Sequence, residues 1–504
     1  MTSSIFDFII LTIGRVVIMI TQIVSMKIYT SLLNPFQIGR LSIILSIMGL
    51  FGLILISPVG TYFSRRVLEW NAEGVIKKYL YRYLLYLCAV TLFAILVILL
   101  IKKYVLKDSM SVSNYWIILI IIGNLLFMTV NTSYLSWVNI FGKRLFFVIT
   151  SILVLWAGLL FAYIFVSSWG YIAENWFAGQ IFANTICAVL VFIVFNKIVN
   201  NKAIQPSTNI KLKEVINFSY PLMISAALYW CHMQGYRFVF SAISSIEVLG
   251  YFTVGYTIGA SILFSFETVF HQYYMPIYYS EISHAIKETR SSAWNKYATL
   301  FYPVLFAFIC YIALSGKYLS VILTGNKFHG VGTIVIWGAL SEGGRIMNSS
   351  ISLVGQSEIQ MKPLIVPGIL GVSIVYALLF LLMPINAIVG CGIALIIGSI
   401  VSYVYSYINM NRLLSIKIPI KRIIYSVLLM SPIYIYYLLI DKFITTRNGM
   451  SNSIIILLGS GIYFVAVVYM LTRKYIQRLP QNKILDTFET KFKESIKSVL
   501  NIWS

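Results

Sequence analysis

Apolar runs of about twenty residues, each ending in a charge or a turn residue, follow one another from Ile5 almost to the end of the chain, and none alternates as a half-buried strand does. About 20 apolar residues in a helix cross the roughly 30 Å of hydrocarbon in a bilayer. Because lipid offers no partner to a backbone N–H or C=O, such runs predict helices and exclude a barrel. Spans are predicted over 5–33, 41–63, 80–101, 115–138, 145–167 and 175–196. A second set is predicted over 218–241, 249–273, 298–316, 331–356, 363–383 and 386–410, with two more over 423–440 and 452–472. The first run is too long for a signal-peptide core and lacks a small-residue cleavage site, so it is expected to remain as the first span. The expected fold is an all-α polytopic membrane protein of about fourteen transmembrane helices.

The positive-inside rule tests this count, because a missed or invented span would scramble the alternation of Lys and Arg between the two sides. With the N-terminus in the cytoplasm, the inner segments hold 26 of these residues and the outer loops 8. Both termini are then cytoplasmic. Of the 504 residues 59% are hydrophobic and 11% charged, against roughly 25% charged in an average soluble domain. The net charge of +22 is read as cytoplasmic cations that fix orientation and lie against anionic lipid of the bilayer, with no nucleic-acid partner. Cys88, Cys187, Cys231, Cys310 and Cys391 all fall inside apolar runs with no C-x-x-C spacing, so they are read as small core residues, and no metal site is expected.

A polar segment after the sixth span, carrying Gln205, Pro206, Ser207, Thr208 and Asn209, divides the chain. The expected domains are an N-terminal lobe over 1–199 (spans one to six), a cytoplasmic linker over 200–217 and a C-terminal lobe over 218–413 (spans seven to twelve). Two extra spans over 414–472 and a tail over 473–504 follow. An internal repeat aligns Pro35-Phe-Gln-Ile-Gly-Arg-Leu-Ser with Ile246-Glu-Val-Leu-Gly-Tyr-Phe-Thr, and so Gly39 with Gly250. Six spans separate the copies, so they share orientation and the two six-helix lobes are related by a pseudo-two-fold axis along the membrane normal. In the tail, Ile484, Phe488, Phe492, Ile496 and Leu500 recur at helical spacing with lysines elsewhere on the helix, as in a helix lying on the inner leaflet.

Four cations fall at membrane depth: Arg15, Lys27, Arg237 and Arg345. Each costs about 2.5–3.5 kcal/mol at a helix centre, so it is expected to face a bundle interior or wet cavity, or to snorkel. The acids at similar depth are Glu267 and Glu342. The balance predicts a cationic cavity suited to an anion. In the first span Arg15, Gln22 and Tyr29 are seven residues apart and form one polar stripe, read as a cavity wall. Lys27 and Arg237 lie near the outer ends of their spans, where ligand contact and snorkelling are both open. Glu342 and Arg345 are three residues apart and pair along a helix, although a paired Arg can exchange its carboxylate for a ligand phosphate. Glu267 and His271, one turn apart, are candidates for proton coupling or, more plainly, for a local hydrogen bond.

Several segments in order resemble the multidrug/oligosaccharidyl-lipid/polysaccharide exporter superfamily, and within it the Wzx-type O-antigen flippases. They are Leu33-Asn-Pro-Phe-Gln-Ile-Gly-Arg, Ser57-Pro-Val-Gly-Thr-Tyr-Phe-Ser-Arg-Arg, Leu212-Lys-Glu-Val-Ile-Asn-Phe-Ser-Tyr-Pro, Tyr236-Arg237 with Gly250-Tyr251, and Tyr273-Tyr-Met-Pro-Ile-Tyr-Tyr-Ser. The chain carries Tyr236-Arg237 where such proteins often carry Asp-Arg. The resemblance implies two lobes that rock about a central cavity and move a polyprenyl-diphosphate-linked oligosaccharide outward across a bacterial cytoplasmic (inner) membrane, for O-antigen, lipopolysaccharide or capsule synthesis. It also implies a monomer working beside a polysaccharide polymerase and chain-length machinery, with sugar read by side chains such as Asn124 and Asn131. No cofactor is implied. The membrane potential helps an anion leave, by about 2.3 kcal/mol per charge per 100 mV, and exchange of H+ or Na+ remains open.

Two other readings compete. A multidrug or cation antiporter of the same superfamily would place a deep unpaired carboxylate in its cavity. A membrane polysaccharide polymerase or ligase shares this length and span number but needs a large outer loop, and the predicted outer segments are short. No Walker A, H-E-x-x-H or dinucleotide motif stands in a suitable context, so the expectation is a transporter and not an enzyme.

Overall fold

The computed structural model describes residues 2–103, 113–199, 212–283, 285–443 and 449–476. Most of the predicted linker and the amphipathic part of the predicted tail lie outside them. The described residues contain helices and no strand. In chain order the helices are α1 (Thr2–Leu32), α2 (Pro35–Ala72), α3 (Ile76–Ile101), α4 (Asn114–Ile140), α5 (Arg144–Trp169) and α6 (Ala173–Ile198). Helix α7 runs through Leu212–Trp230, a π turn Cys231–Gly235 and Tyr236–Ile243. Next come α8 (Ile246–Ile282), α9 (Lys287–Leu323), a 3-10 segment Asn326–Ile334, α10 (Val335–Ser357), α11 (Ile365–Leu382) and α12 (Ala387–Leu413). The last two are α13 (Ile420–Leu428 continued by Ser431–Phe443) and α14 (Met450–Ile476).

Twelve of these helices are long and apolar enough to cross a membrane. The other two, α7 and α10, are the helices that carry His232 with Arg237 and Glu342 with Arg345. Their polar content is what lowers their mean hydropathy, and it must be met by partners inside the protein. Helices α8 and α9 hold 37 residues each, about 55 Å at the helical rise. The apolar runs over 249–273 and 298–316 are therefore only their membrane-depth parts. Rings of α8 and α9 hold the pair together, with Phe266 and Phe308 4.4 Å apart, Phe270 and Phe301 4.7 Å apart and Tyr274 and Tyr297 5.5 Å apart.

Packing divides the described chain into two compact units. Unit one comprises α1 to Ser25 and residues Ile43–Trp230; unit two comprises Met26–Ser42 and the chain from Cys231 onward. The second division falls where α7 passes from α to π geometry, a change that frees backbone groups and is common at functional positions. Unit one is held by an aromatic cluster in which Trp137 donates to Ser64 Oγ at 2.9 Å and packs against Tyr83, Tyr134 and Phe195. In unit two α13 and α14 lie on α9 through Tyr437, whose hydroxyl reaches Ser315 and Ser460, each at 2.8 Å.

The repeat read from sequence is realised as a reciprocal contact inside unit two. A Cβ on Gly39 would stand 2.0 Å from the carbonyl oxygen of Ile246, and one on Gly250 would stand 1.9 Å from that of Pro35. Pro35 aligns with Ile246 as Gly39 aligns with Gly250, so each copy presses its glycine on the first carbonyl of the other. Only glycine permits so close a crossing.

Candidate functional site

Four titratable side chains of unit two, Glu267, His271, Glu342 and Arg345, form one buried cluster. Arg345 on α10 donates from Nε to Glu342 Oε1 at 2.8 Å, a turn away on the same helix, and from Nη2 to Glu267 Oε2 on α8. The Arg345 side chain is 17% exposed and both carboxylates 8%. On the next turn of α8, His271 Nδ1 stands 3.9 Å from Glu267 Oε1, while its Nε2 lies 3.1 Å from the Tyr297 hydroxyl. With both carboxylates ionised and the imidazole neutral, the single guanidinium would leave one negative charge on the cluster. For Arg345 to hold a ligand phosphate, a carboxylate must first leave it. The Gly343-Gly344 pair does not interrupt α10; the two glycines admit Ile309 and Ser399.

Other polar residues of α7, α10 and α12 join those helices. His232 meets Ser399 Oγ at 3.0 Å, and Asn348 donates to the Gly344 and Ser399 carbonyls and accepts from Ser402 Oγ at 3.2 Å. Arg237 donates from Nη1 to the Ser42 carbonyl at 3.2 Å and stacks on Tyr236. Lys27 lies at the C-terminal end of α9, donating from Nζ to the Val321 carbonyl at 3.0 Å and to that of Thr324. A cation at the carbonyl end of a helix satisfies orphan acceptors and complements the helix dipole. In the same corner Thr30 Oγ1 accepts from the Gly325 N–H at 2.9 Å.

The 3-10 segment after α9 places His329 in the field of Lys27. Burial first, and then that positive charge, push its imidazole below the ordinary value. The folded state thus favours neutral His329. This contribution is full above the unfolded pKa, about 6.5, and is lost as pH falls through the folded value, because the unfolded chain then binds the extra proton. Acidifying the purified protein from about pH 7 to about pH 5 is expected to lower its melting temperature, and His329→Gln to flatten part of that slope. An identical slope in the variant would remove His329 from the account.

Unit one is different in character. Gly14 of α1 lies against Val148 of α5, which a Cβ would meet at 2.6 Å. Beside it Arg15 is exposed and makes no side-chain hydrogen bond or ion pair with the described residues. Two turns on, α1 borders a cavity of about 340 Å³ among α1, α4, α5 and α6. Gln22 and Asn131 line it, joined by Gln180 and Asn184 of α6. No charged side chain among the described residues does. Asn131 is 2% exposed and donates from Nδ2 to Asn184 Oδ1 at 3.1 Å. Asn124 is half-buried in a π turn of α4, Ile122–Met128, and is not among the lining residues.

The sequence matches no protein-family model and no curated protein. The structure, by contrast, is similar to that of the lipid II flippase MurJ in an inward closed conformation, with a TM-score of 0.64 at 12% identity, covering 93% of this chain and 99% of that one. It is also similar to an inward-facing multidrug resistance MATE family transporter of the MOP superfamily, with a TM-score of 0.59 at 12% identity over 80% and 98% of the two chains. A MOP superfamily transporter from Pyrococcus furiosus with a binding pocket of reversed polarity gives 0.55 at 13% identity over 81% and 96%. The chain has the MOP fold. It is a multi-pass membrane protein, and the neighbours that share the MOP fold are flippases and transporters, not enzymes.

Within this MOP fold the site residues read from sequence separate into groups. Glu267, His271, Glu342 and Arg345 come together; Gln22 and Asn131 border one cavity; Lys27 and Arg237 bind carbonyls of unit two. Sequence reading did not find Gln180 and Asn184. The only signal for them was two amides one turn apart in an otherwise apolar span.

Proposed function

We propose that this protein is a flippase that carries a polyprenyl-diphosphate-linked oligosaccharide to the outer leaflet of a bacterial cytoplasmic membrane, by alternating access, for O-antigen, lipopolysaccharide or capsule synthesis. The observation that carries this reading is the pairing, on one helix, of a cation that has no partner among the described residues, Arg15, with the edge of an uncharged amide-lined cavity at Gln22. Phosphate needs the first and sugar the second. A polysaccharide polymerase and chain-length machinery would take the product, and both termini would be cytoplasmic. The Glu267–Arg345–Glu342 cluster with His271 is the proposed coupling element, responding to H+ or Na+, while the membrane potential drives the anion outward.

The test is deletion of the gene. Lipid-linked glycan should then accumulate on the cytoplasmic leaflet, and Arg15→Ala at unchanged membrane abundance should cut export by about tenfold, as the loss of one charged hydrogen bond does. Full export by the variant would remove Arg15 as the contact for phosphate. Short units accumulating on the outer leaflet would instead favour a polymerase. The excess of carboxylates in the unit-two cluster, two against one guanidinium, favours a second reading, a multidrug or cation antiporter. Under it, deletion would sensitise cells to organic cations and leave lipid-linked glycan unchanged.

A further inference from the structure

Most side-chain hydrogen bonds at the wall of the unit-one cavity direct their protons away from it. Asn184 donates from Nδ2 to the carbonyl of Gln180 at 2.9 Å, which turns its Oδ1 toward Asn131. Asn131 must therefore answer with its Nδ2. Its own Oδ1 is left buried with no hydrogen-bond partner, on a residue that lines the cavity. A buried acceptor in that state costs free energy until something donates to it.

Three of the four lining hydroxyls point the same way; the fourth, Ser25, makes no hydrogen bond among the described residues. Thr21 donates to the Val17 carbonyl at 2.8 Å, Thr132 to that of Met128 at 2.9 Å and Ser151 to that of Phe147 at 2.8 Å. Each hydroxyl has one proton, so all three spend it inside their own helices and offer only lone pairs outward. Gln22 and Gln180 make no side-chain hydrogen bond among the described residues, and each can turn either end of its amide inward.

We infer that this cavity is the seat of the neutral sugar part of the cargo, read through Asn131 Oδ1 with Gln22 and Gln180, and that it excludes the diphosphate. An ionised diphosphate brings acceptors only; it would meet the lone pairs of Asn131, Thr21, Thr132 and Ser151 with no cation to offset them, and only uncharged donors from Gln22, Gln180 and Ser25. A hydroxyl- or acetamido-bearing sugar ring brings O–H and N–H donors, and the wall holds no charge that would have to be desolvated. Arg15 lies seven residues from Gln22, roughly 10 Å along α1, so one helix serves the phosphate and the sugar at separate places. The cavity volume of about 340 Å³ is within the roughly 300–1,000 Å³ of small-ligand sites.

This inference rests on the flippase reading, and the experiment separates the two. Purified full-length protein in lipid nanodiscs is offered two probes: sugar-free polyprenyl diphosphate, and the lipid-linked glycans extracted from source cells lacking the gene. Bound species are read by native mass spectrometry. The wild type should prefer the glycan-bearing probe by about tenfold, and Asn131→Leu and Gln180→Leu should each remove most of that preference while leaving binding of the sugar-free probe unchanged. Gln180 serves as the second variant because its side chain makes no hydrogen bond among the described residues. A preference that survives in both variants, equal loss of both probes in Gln180→Leu, or a wild type that binds the two probes alike would overturn the sugar seat and leave the flippase standing. A wild type that takes neither probe would overturn the flippase reading itself.

Discussion

Arg345→Ala is expected to deplete the protein from membranes and to lower its melting temperature more than any other single substitution in the buried cluster. Removing the guanidinium leaves Glu267 and Glu342 facing each other without compensation, each only 8% exposed. Breaking a buried ion pair in this way costs about 3–5 kcal/mol, a large part of the stability of an ordinary protein. The loss comes from stranded carboxylates, so it should be reversible. Adding Glu267→Gln and Glu342→Gln to Arg345→Ala should restore abundance, although not coupling. Arg345→Lys should fall between, because a single ammonium cannot fork to two carboxylates as a guanidinium does. Normal abundance and melting in Arg345→Ala would show that the three charges do not compensate one another. Failure of the triple variant to recover would show that Arg345 holds α8 and α10 by more than charge.

The second large effect is expected at the crossing of α2 and α8. Gly39→Ala and Gly250→Ala each place a methyl group about 2 Å from a backbone carbonyl oxygen, and neither carbonyl can turn aside without breaking its own helix. Forced overpacking costs about 1–3 kcal/mol, and a clash with backbone belongs at the upper end. Since the two glycines close one crossing, the substitutions should not add. Once the first has driven the helices apart, the second finds the space already made. The check is a double-mutant cycle on melting temperature, with export measured alongside. Additive losses would mean that the two contacts are independent, and no loss in either variant would mean that the crossing does not hold in the membrane.

Much of the architecture was legible because lipid as solvent leaves few choices. A helix must satisfy its own backbone, so the apolar runs gave the helices, and even the polar ones, α7 and α10, were found from their bounding residues. The lengths of α8 and α9 were not legible, since hydropathy marks only the part at membrane depth and their ends are polar. The pairing of Glu342 with Arg345 could be read from a spacing of three. The partnership with Glu267 could not, because it joins residues 78 apart in the chain. Lys27 illustrates the same limit: its position near a span end was plain, but the carbonyls it binds are nearly 300 residues away. The amide cavity was half visible, through Gln22 and Asn131, for a polar stripe is seen along one helix while a cavity is closed by several. The cationic cavity expected with Arg15 and Tyr29 on its wall is not this one, whose described lining is uncharged. The tail helix expected over 484–500 and most of the linker lie outside the described residues.

The length of α8 and α9 has a practical consequence. About 25 Å of that paired helix exceeds the thickness of hydrocarbon and is stiffened by stacked rings along its length. Such a strut is a lever arm. A spin label or a rigid antibody fragment fixed near its tip would convert a small tilt of unit two into a displacement large enough to time, with no alteration to either the cavity or the charge cluster.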